Sequence, residues 1–315
     1  DFVRYYGGQN TSITNLYFPV STKYKTEKDI FGFDGGFIRD NTLMGELRQT
    51  GVVLRFTQRN QWTLSPSWTH NITEKLSAMG TYTFYDTRYE NGLRLGLADY
   101  TMHVGSTGLS YQLSERDQVQ VNAVAVRFAA SDLRLSSTIV GPQITYAHMF
   151  SETLSGSVSG GPRHVSSTID TPVGSLSDGV WVWTFSGNLE KRWDDWRIKG
   201  EVGREINPSG FGLLLRTDKL SLDVSHQITE RLTASVTGLF LIADGVKTKA
   251  VSTVFPENRL VYVTPKISWR LSEWWTADMT YSYALRDVPS QSLTALGNSA
   301  TIMFTYYPPR LTVGR

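Results

Sequence analysis

The residues best suited to acid–base or metal chemistry in this chain are five histidines, and their spacing forms no recognisable site. None lies in the HExxH pattern that binds zinc from one helix face, and none has Asp or Glu at metal-ligand spacing. The absence of cysteine excludes disulfides and Cys-based zinc sites, and no G-x-S-x-G elbow positions a nucleophilic serine. We therefore predict no catalytic, metal-binding or cofactor-binding residue, no cofactor, and a protein that is not an enzyme. The histidines are His70, His103, His148, His164 and His226.

Charged residues that alternate with apolar ones form a second group of candidates. In DDWRIKGEVGREIN (194–207), charged residues from Arg197 to Glu205 take turns with small or apolar ones. The apolar members would also fit a helical stripe. Two glycines inside the segment oppose a helix, each by about 1 kcal/mol relative to alanine. The neighbouring segments must decide between helix and strand.

Those neighbours repeat with a period of two. LSAMGTYTFY (76–85), RLTASVTG (231–238), LVYVTPKISWRL (260–271) and WTADMTYSY (275–283) each set apolar side chains against Ser, Thr or charged ones. A period of two is that of a β-strand. No apolar run approaches the ~18 residues that a membrane helix needs. We therefore predict an all-β chain.

Short polar connectors of similar form recur along the chain and predict tight turns. Most consist of an apolar residue, Ser or Thr, Glu, and a polar residue. They lie ~35–47 residues apart, and longer loops alternate with them, as in outer-membrane barrels. A propeller would need shorter strands and a recurring signature. The seven predicted turns are KTEKD (25–29), ITEK (72–75), LSERD (113–117), FSET (150–153), RWDD (192–195), ITER (228–231) and LSEW (271–274). The predicted loops are 40–50, 88–98, 130–136, 165–178, 205–211, 243–258 and 286–296.

The turns give the strand count. Seven turns join fourteen strands, and NSATIMFTYY (298–307) adds one more. Antiparallel closure needs an even number, so FVRYYGG (2–8) or a neighbour should supply the last strand. We predict 16 strands, with 14 or 18 as alternatives, at roughly 20 residues per strand and connector. Four prolines inside predicted strands should mark bulges or strand ends; they are Pro66, Pro142, Pro162 and Pro265.

Aromatic residues near the turns indicate which face meets lipid. Amphipathic rings favour the headgroup level and form girdles at both rims of a membrane barrel. His70 and His103 share the parity of apolar neighbours, so we expect them at the rim. The rings near the turns include Trp193, Trp196, Trp269, Trp274, Trp275, Tyr306 and Tyr307.

The predicted fold is one closed antiparallel transmembrane β-barrel spanning 1–315, with short periplasmic turns and longer extracellular loops. Its apolar face should contact outer-membrane lipid, and its location should be the bacterial outer membrane. A net charge of +2 without a basic run gives no support for nucleic-acid binding. In a soluble β-domain the apolar face would instead point inward to a core, and the polar face would point outward to water.

The polar face should then line the lumen. Its charges carry both signs, which favours cross-strand pairing over strong ion selectivity, and they guide a polar solute or only stabilise the wall. The predicted pore-lining residues are Glu190, Arg192, Arg197, Lys199, Glu201, Glu205, Lys219, Asp223, Lys266, Arg270, Asp278 and Arg286.

Four segments of the chain resemble a known family. They are RNQWTLSPSWTHNITEKLSAMGTYTFYDTRYENG (59–92), YTMHVGSTGLSYQLSERDQVQV (100–121), QITYAHMFSETLSGSVSGG (143–161) and the closing FTYYPPRLTVGR (304–315). They resemble β-barrel outer-membrane proteins of exopolysaccharide synthesis and export loci in Gram-negative bacteria. The closing segment departs from the terminal Phe of many outer-membrane barrels. The resemblance implies a conduit for a secreted polysaccharide, working with a periplasmic polysaccharide-export protein, and brings no catalytic residues.

Three tyrosines of the polar face, Tyr17, Tyr85 and Tyr262, are candidate sugar contacts, because aromatic faces stack on sugar rings. The alternative is that each ring only fills the lumen. A general or small-solute porin, a barrel enzyme with a site assembled across strands, and a soluble adhesion or sugar-binding domain are the competing functions.

Overall fold

The computed structural model describes residues 2–5, 11–42, 46, 57–246, 248 and 255–307. They form a two-stranded sheet and one antiparallel sheet of fifteen strands, in which each strand pairs with its neighbours in sequence. The strands are β1 (Phe2–Tyr5), β2 (Thr11–Thr14), β3 (Leu16–Lys25), β4 (Asp29–Asn41), β5 (Gln58–Asn71), β6 (Leu76–Tyr89), β7 (Tyr100–Gln112), β8 (Asp117–Ala130), β9 (Leu135–Ser151), β10 (Leu154–Thr171), β11 (Gly174–Arg192), β12 (Trp196–Pro208), β13 (Leu214–Thr229), β14 (Leu232–Gly245), β15 (Asn258–Arg270), β16 (Trp275–Val288) and β17 (Leu293–Tyr306). Single 3₁₀ turns occur at Gly92–Leu95, Ser131–Leu133 and Pro289–Gln291. No helix in these ranges is long and apolar enough to cross a membrane.

All seven predicted tight turns are confirmed, and a Ser or Thr hydroxyl explains six of them. RWDD (192–195) has no hydroxyl, and its Trp193 amide donates to the Trp196 carbonyl at 2.7 Å. The Thr73 hydroxyl accepts the Leu76 amide at 3.0 Å, and the Thr229 hydroxyl accepts the Leu232 amide at 3.0 Å. A hydroxyl that bonds a backbone amide two or three residues on closes a turn without help from the rest of the sheet. The signal is therefore local in the sequence.

The large sheet has one strand fewer than the predicted sixteen, and its closure stays a prediction. The large sheet has fifteen strands, and in the described ranges no ladder joins β3 to β17. The segment 2–8 or a neighbour was predicted to complete it; of this segment, Phe2–Tyr5 instead pairs with Thr11–Thr14 in the separate two-stranded sheet. Residues 6–8 of that predicted strand lie outside the described residues.

Several predicted loops are instead strand. The segment 165–178 is mostly the end of β10 and the start of β11, joined at 172–173. Its alternating Val, Ser and Thr continue the ladder, so these two strands reach 18 and 19 residues. The predicted loops at 40–50 and 243–258, and the closing segment 304–315, lie partly outside the described residues.

The in-strand prolines interrupt ladders without shifting them, contrary to the predicted bulges or strand ends. Between β9 and β10 the pairs Gly160–Ile144 and His164–Val140 belong to one continuous register, which sets Pro142 opposite Pro162. Neither proline has an N–H to donate. The ladders around Pro66 and Pro265 likewise resume in register on the far side.

The two faces of the sheet differ in exposure as well as chemistry. On β5, Trp62, Leu64 and Trp68 are 54%, 44% and 41% exposed, while the alternate residues Thr63 and Ser67 are half-buried. Most strands repeat this pattern. We call the exposed side, with its aromatic and aliphatic residues, the outer face, and the other side the polar face. The predicted division of apolar and hydrophilic side chains between the two faces is therefore present in the structure.

The sheet curves towards its polar face. The Ala98 amide, between β6 and β7, donates to the Gly210 carbonyl, between β12 and β13, at 2.8 Å. The nearest strands of these two connections, β7 and β12, are five strand spacings apart, which is about 24 Å in a flat sheet. Curvature brings the connections at the long-loop end together.

Candidate functional site

The predicted pore-lining residues share the polar face, and several form a chain of ion pairs along it. Glu190 bonds Arg192 on its own strand, and its Oε1 lies 2.9 Å from Arg197 Nε on β12. Glu201 lies 2.5 Å from Lys199 Nζ and 3.2 Å from Lys219 Nζ. Carboxylates thus lie between cations from adjacent strands, which lowers the net field along this part of the wall.

The remaining predicted members have separate partners. Asp223 accepts the Thr237 hydroxyl at 2.6 Å, and Lys266 Nζ lies 3.1 Å from Asp278. Arg286 donates to the Asn258 side chain at 2.6 and 2.9 Å. The Arg270 guanidinium donates to the Glu230 carbonyl in a short turn, and Glu205 accepts from Asn207 at 3.4 Å.

The three predicted sugar-contact tyrosines lie on the polar face but are spread across it. Tyr17 is on β3, Tyr85 on β6 and Tyr262 on β15. Tyr17 is 44% exposed and Tyr262 donates to the Ser282 hydroxyl at 2.9 Å. These strands are too far apart in the sheet for the three rings to form one contact surface.

An apolar cluster on the polar face, which the sequence did not predict, occupies the long-loop end. We call it the mouth cluster. It joins strand residues such as Phe128 and Val165, both fully buried, to loop residues Leu97 and Ala98, each 2% exposed. The loop between β6 and β7 therefore folds inward over the polar face. The buried members are Tyr89, Leu97, Ala98, Tyr100, Phe128, Ala130, Ile139, Val165 and Leu214.

A buried polar group lies beside the mouth cluster. Asp40 and Arg59 form a two-bond ion pair at 2.8 and 2.9 Å, with both side chains nearly inaccessible. Glu46, 3% exposed, accepts the Tyr89 hydroxyl and the Gly210 amide. Burial removes water from this carboxyl group and raises its pKa above the ordinary value. Glu46 thus joins three segments at the long-loop end.

A polar cavity of about 350 Å³ adjoins the mouth cluster. Ile139 of the cluster lines it together with Gln143, Ser159 and Arg163. Arg163 is 6% exposed and donates to the Pro142 carbonyl and the Gln143 side chain, both at 2.6 Å. The Arg163 guanidinium therefore donates a hydrogen bond to the opposite strand, which Pro162 cannot do because it has no N–H.

The histidines lie on the outer face, and three of them pair with aspartates next to the short turns. His70 and His148 contact Asp29 and Asp117 at 2.8 and 2.7 Å. His226 stacks on a tryptophan with ring centroids 4.2 Å apart. His70 lies beside a short turn, which agrees with the predicted rim position, while His103 bonds Tyr82 further from the turns at 2.6 Å. The described ranges contain no group of three or more potential metal ligands.

Comparison with solved structures identifies the fold. The chain is similar to copper transporter OprC, with a TM-score of 0.60 and 12% identity over 92% of this chain and 56% of that one. It is similar to the ferric citrate transporter FecA in its unliganded form, with a TM-score of 0.55 and 10% identity over 95% and 56%. For the alcaligin outer-membrane receptor FauA from Bordetella pertussis the TM-score is 0.50 at 13% identity, over 94% and 57%.

The chain thus spans little more than half the length of these proteins. No protein-family model and no curated protein matches its sequence. The likeness gives the chain the fold of outer-membrane β-barrel transporters and receptors, and it supports the predicted outer-membrane localisation.

Proposed function

We propose that this chain forms the wall of an outer-membrane transporter that moves a polar solute along its charged, hydroxyl-rich face. The observation that carries this proposal is the division of the sheet: exposed aromatic and aliphatic side chains on one face, and paired charges with Ser and Thr on the curved-in face. Such a wall suits lipid outside and water inside. In this proposal the sheet is part of a closed barrel.

The mouth cluster favours a gated transporter over a general porin. Loops from β6–β7 and β12–β13 meet across the polar face through the Ala98–Gly210 hydrogen bond and apolar packing. A solute that uses this face must displace them. The proposed resting state is therefore closed at the long-loop end.

We propose a secreted polysaccharide as the solute, with a periplasmic polysaccharide-export protein as partner. The support is the resemblance to exopolysaccharide-locus barrels, together with hydroxyl groups and the inward-facing Tyr17 and Tyr85. Saccharides are rich in hydroxyl groups, and a wall of paired charges offers them hydrogen bonds without a strong net field.

Uptake of a metal chelate is the second candidate function. It is favoured by the fold likeness to a copper transporter and a ferric citrate transporter, and by the closed mouth. Polysaccharide export and chelate uptake would move their solutes along the same polar face in opposite directions.

Deletion of the gene, with complementation by the intact gene, tests both candidates. We expect secreted polysaccharide to fall and to return on complementation, while growth on ferric or copper chelates is unchanged. Loss of growth on chelates with normal polysaccharide would instead identify the second candidate. If neither phenotype changes, both solute assignments are wrong.

A further inference from the structure

The outer face carries an apolar groove on the opposite side of the sheet from the ion pairs and the mouth cluster. It has a volume of about 500 Å³ and crosses β10, β11 and β12. Pockets of this size bind single organic ligands. A smaller apolar recess of about 360 Å³ lies beside Pro142 and Pro162 on the same face.

The register explains why the recess exists. Gly156 lies opposite Leu189, which lies opposite Gly200, and Val158 lies opposite Gly187 in the next row. Exposed aliphatic side chains therefore stand beside positions without side chains. A Cβ added at Gly200 would meet nothing within 4 Å, so the space above it is open.

The end of the groove nearest the short turns is lined by aromatic rings. Tyr146, His148 and Phe150 form this end. Phe150 and the His148 ring meet edge to face at 4.5 Å. Rings at this level suit the boundary between lipid chains and headgroups.

A cation lies just beyond the groove, on the same face. Lys191 is two residues from Leu189 along β11, about 7 Å towards the short turn. Its Nζ lies 2.8 Å from the Thr153 hydroxyl and 5.5 Å from the centre of the Trp193 ring. Within the described ranges no carboxylate lies within 4.0 Å of that Nζ. Its charge is therefore available to an anion.

We propose that this groove binds one phospholipid, with an acyl chain in the recess and the phosphate against Lys191 and Thr153. The lipid's chemistry matches both ends: the recess offers mainly apolar contacts, and Lys191 offers an uncompensated positive charge at headgroup depth. The inference rests on the lipid-facing assignment of the outer face made in the proposed function.

Native mass spectrometry of the full chain tests the proposal. The protein is purified in a mild detergent and exposed to phosphatidylglycerol, phosphatidylethanolamine or lipid A. We expect one phospholipid to stay bound to the wild-type chain. Lys191→Gln should lower its retention at least tenfold, and Gly200→Leu should abolish it by filling the recess.

Two matched variants serve as controls. Gly80→Leu adds the same side chain at another outer-face glycine, where a Cβ meets only Trp68 at 4.0 Å. Lys75→Gln removes a cation from a different short turn. Both should retain the lipid, and heat-dependent gel mobility should show that all four variants fold.

Equal retention in all variants, or binding of lipid A alone, would overturn the proposal. If the chain conducts ions in bilayers but retains no phospholipid, the phospholipid proposal is wrong and the proposed transport function is unaffected. A chain that stays folded and monodisperse without amphiphile would instead remove the membrane assignment itself.

Discussion

At the scale of single residues, Arg163 replaces hydrogen bonding that two prolines remove. Pro142 and Pro162 face each other across the β9–β10 ladder, and Gly141 and Gly161 beside them allow the strands to stay close. A Cβ at either glycine would come within 2.0 Å of the opposite proline carbonyl. The guanidinium of Arg163 then bonds the Pro142 carbonyl from the polar face.

Arg163→Ala should therefore destabilise the sheet by about 1–3 kcal/mol, because a buried carbonyl loses its donor. Urea unfolding in phospholipid vesicles measures the change. In the double variant Pro162→Ala and Arg163→Ala, the new amide of residue 162 should restore part of the loss. Unchanged stability in the single variant would contradict this role.

Glu46 should make the closed mouth sensitive to pH. Its pKa is raised by burial, so the folded arrangement favours the protonated carboxyl. Stability from such a group is fully present below the unfolded pKa and is lost as pH rises through the raised pKa. Open probability in planar bilayers should therefore increase with pH above about 4.5, the ordinary value.

Glu46→Gln keeps the hydrogen-bonding shape without the charge. Its open probability should stay low and lose most of its pH dependence. A pH response equal to that of the wild-type chain would assign the gating to another group.

At the scale of elements, the connections of the long-loop end do more than join strands. The β12–β13 connection contains Gly212 at φ 69°, where a Cβ would lie 2.7 Å from Leu133 and 3.0 Å from Ala98 and Ala130. Three connections thus meet around one glycine. Packing at this point holds the mouth cluster together.

Gly212→Ala should loosen the mouth cluster and raise single-channel open probability in planar bilayers. Gly96→Ala is the matched control: Gly96 has a similar φ of 75°, but its Cβ would meet nothing within 4 Å. It carries the same backbone strain without the clash. Equal effects of both variants would show that strain, and not the packing of the three connections, controls opening.

Elements differ in how far the sequence determines them. Six of the seven turns follow from a Ser or Thr hydroxyl that bonds a nearby amide, and face assignment follows from a period of two, so both are local signals. The partners of Glu190 and Glu201 depend on register between strands, which periodicity alone leaves open. The bonds of Arg163 also depend on register, between β9 and β10. The mouth cluster includes residues more than 100 positions apart, such as Tyr89 and Leu214, which belong to one cluster only because the sheet curves.

At the scale of the whole molecule, the paired charges of the polar face should keep ion selectivity weak once the mouth is open. In the Gly212→Ala background, changing both Arg197 and Lys199 to Glu places up to two carboxylates beside Glu190 and Glu201. We expect the reversal potential in a salt gradient to shift towards cation selectivity. The same changes at Lys28 and Lys75, in short turns, should leave it unaffected. An identical reversal potential in both sets would assign these charges to wall stability alone.

The two borders of the fifteen-stranded sheet, β3 and β17, have a directional consequence. Fourteen antiparallel steps separate them, so both strands run towards the short turns, and both present almost wholly exposed residues. If β3 paired directly with β17, the barrel would contain one parallel strand pair among otherwise antiparallel pairs. An uninterrupted antiparallel cylinder requires an odd number of intervening strands, whichever polypeptide provides them, and cross-linking from cysteines introduced along β3 and β17 would reveal their neighbours.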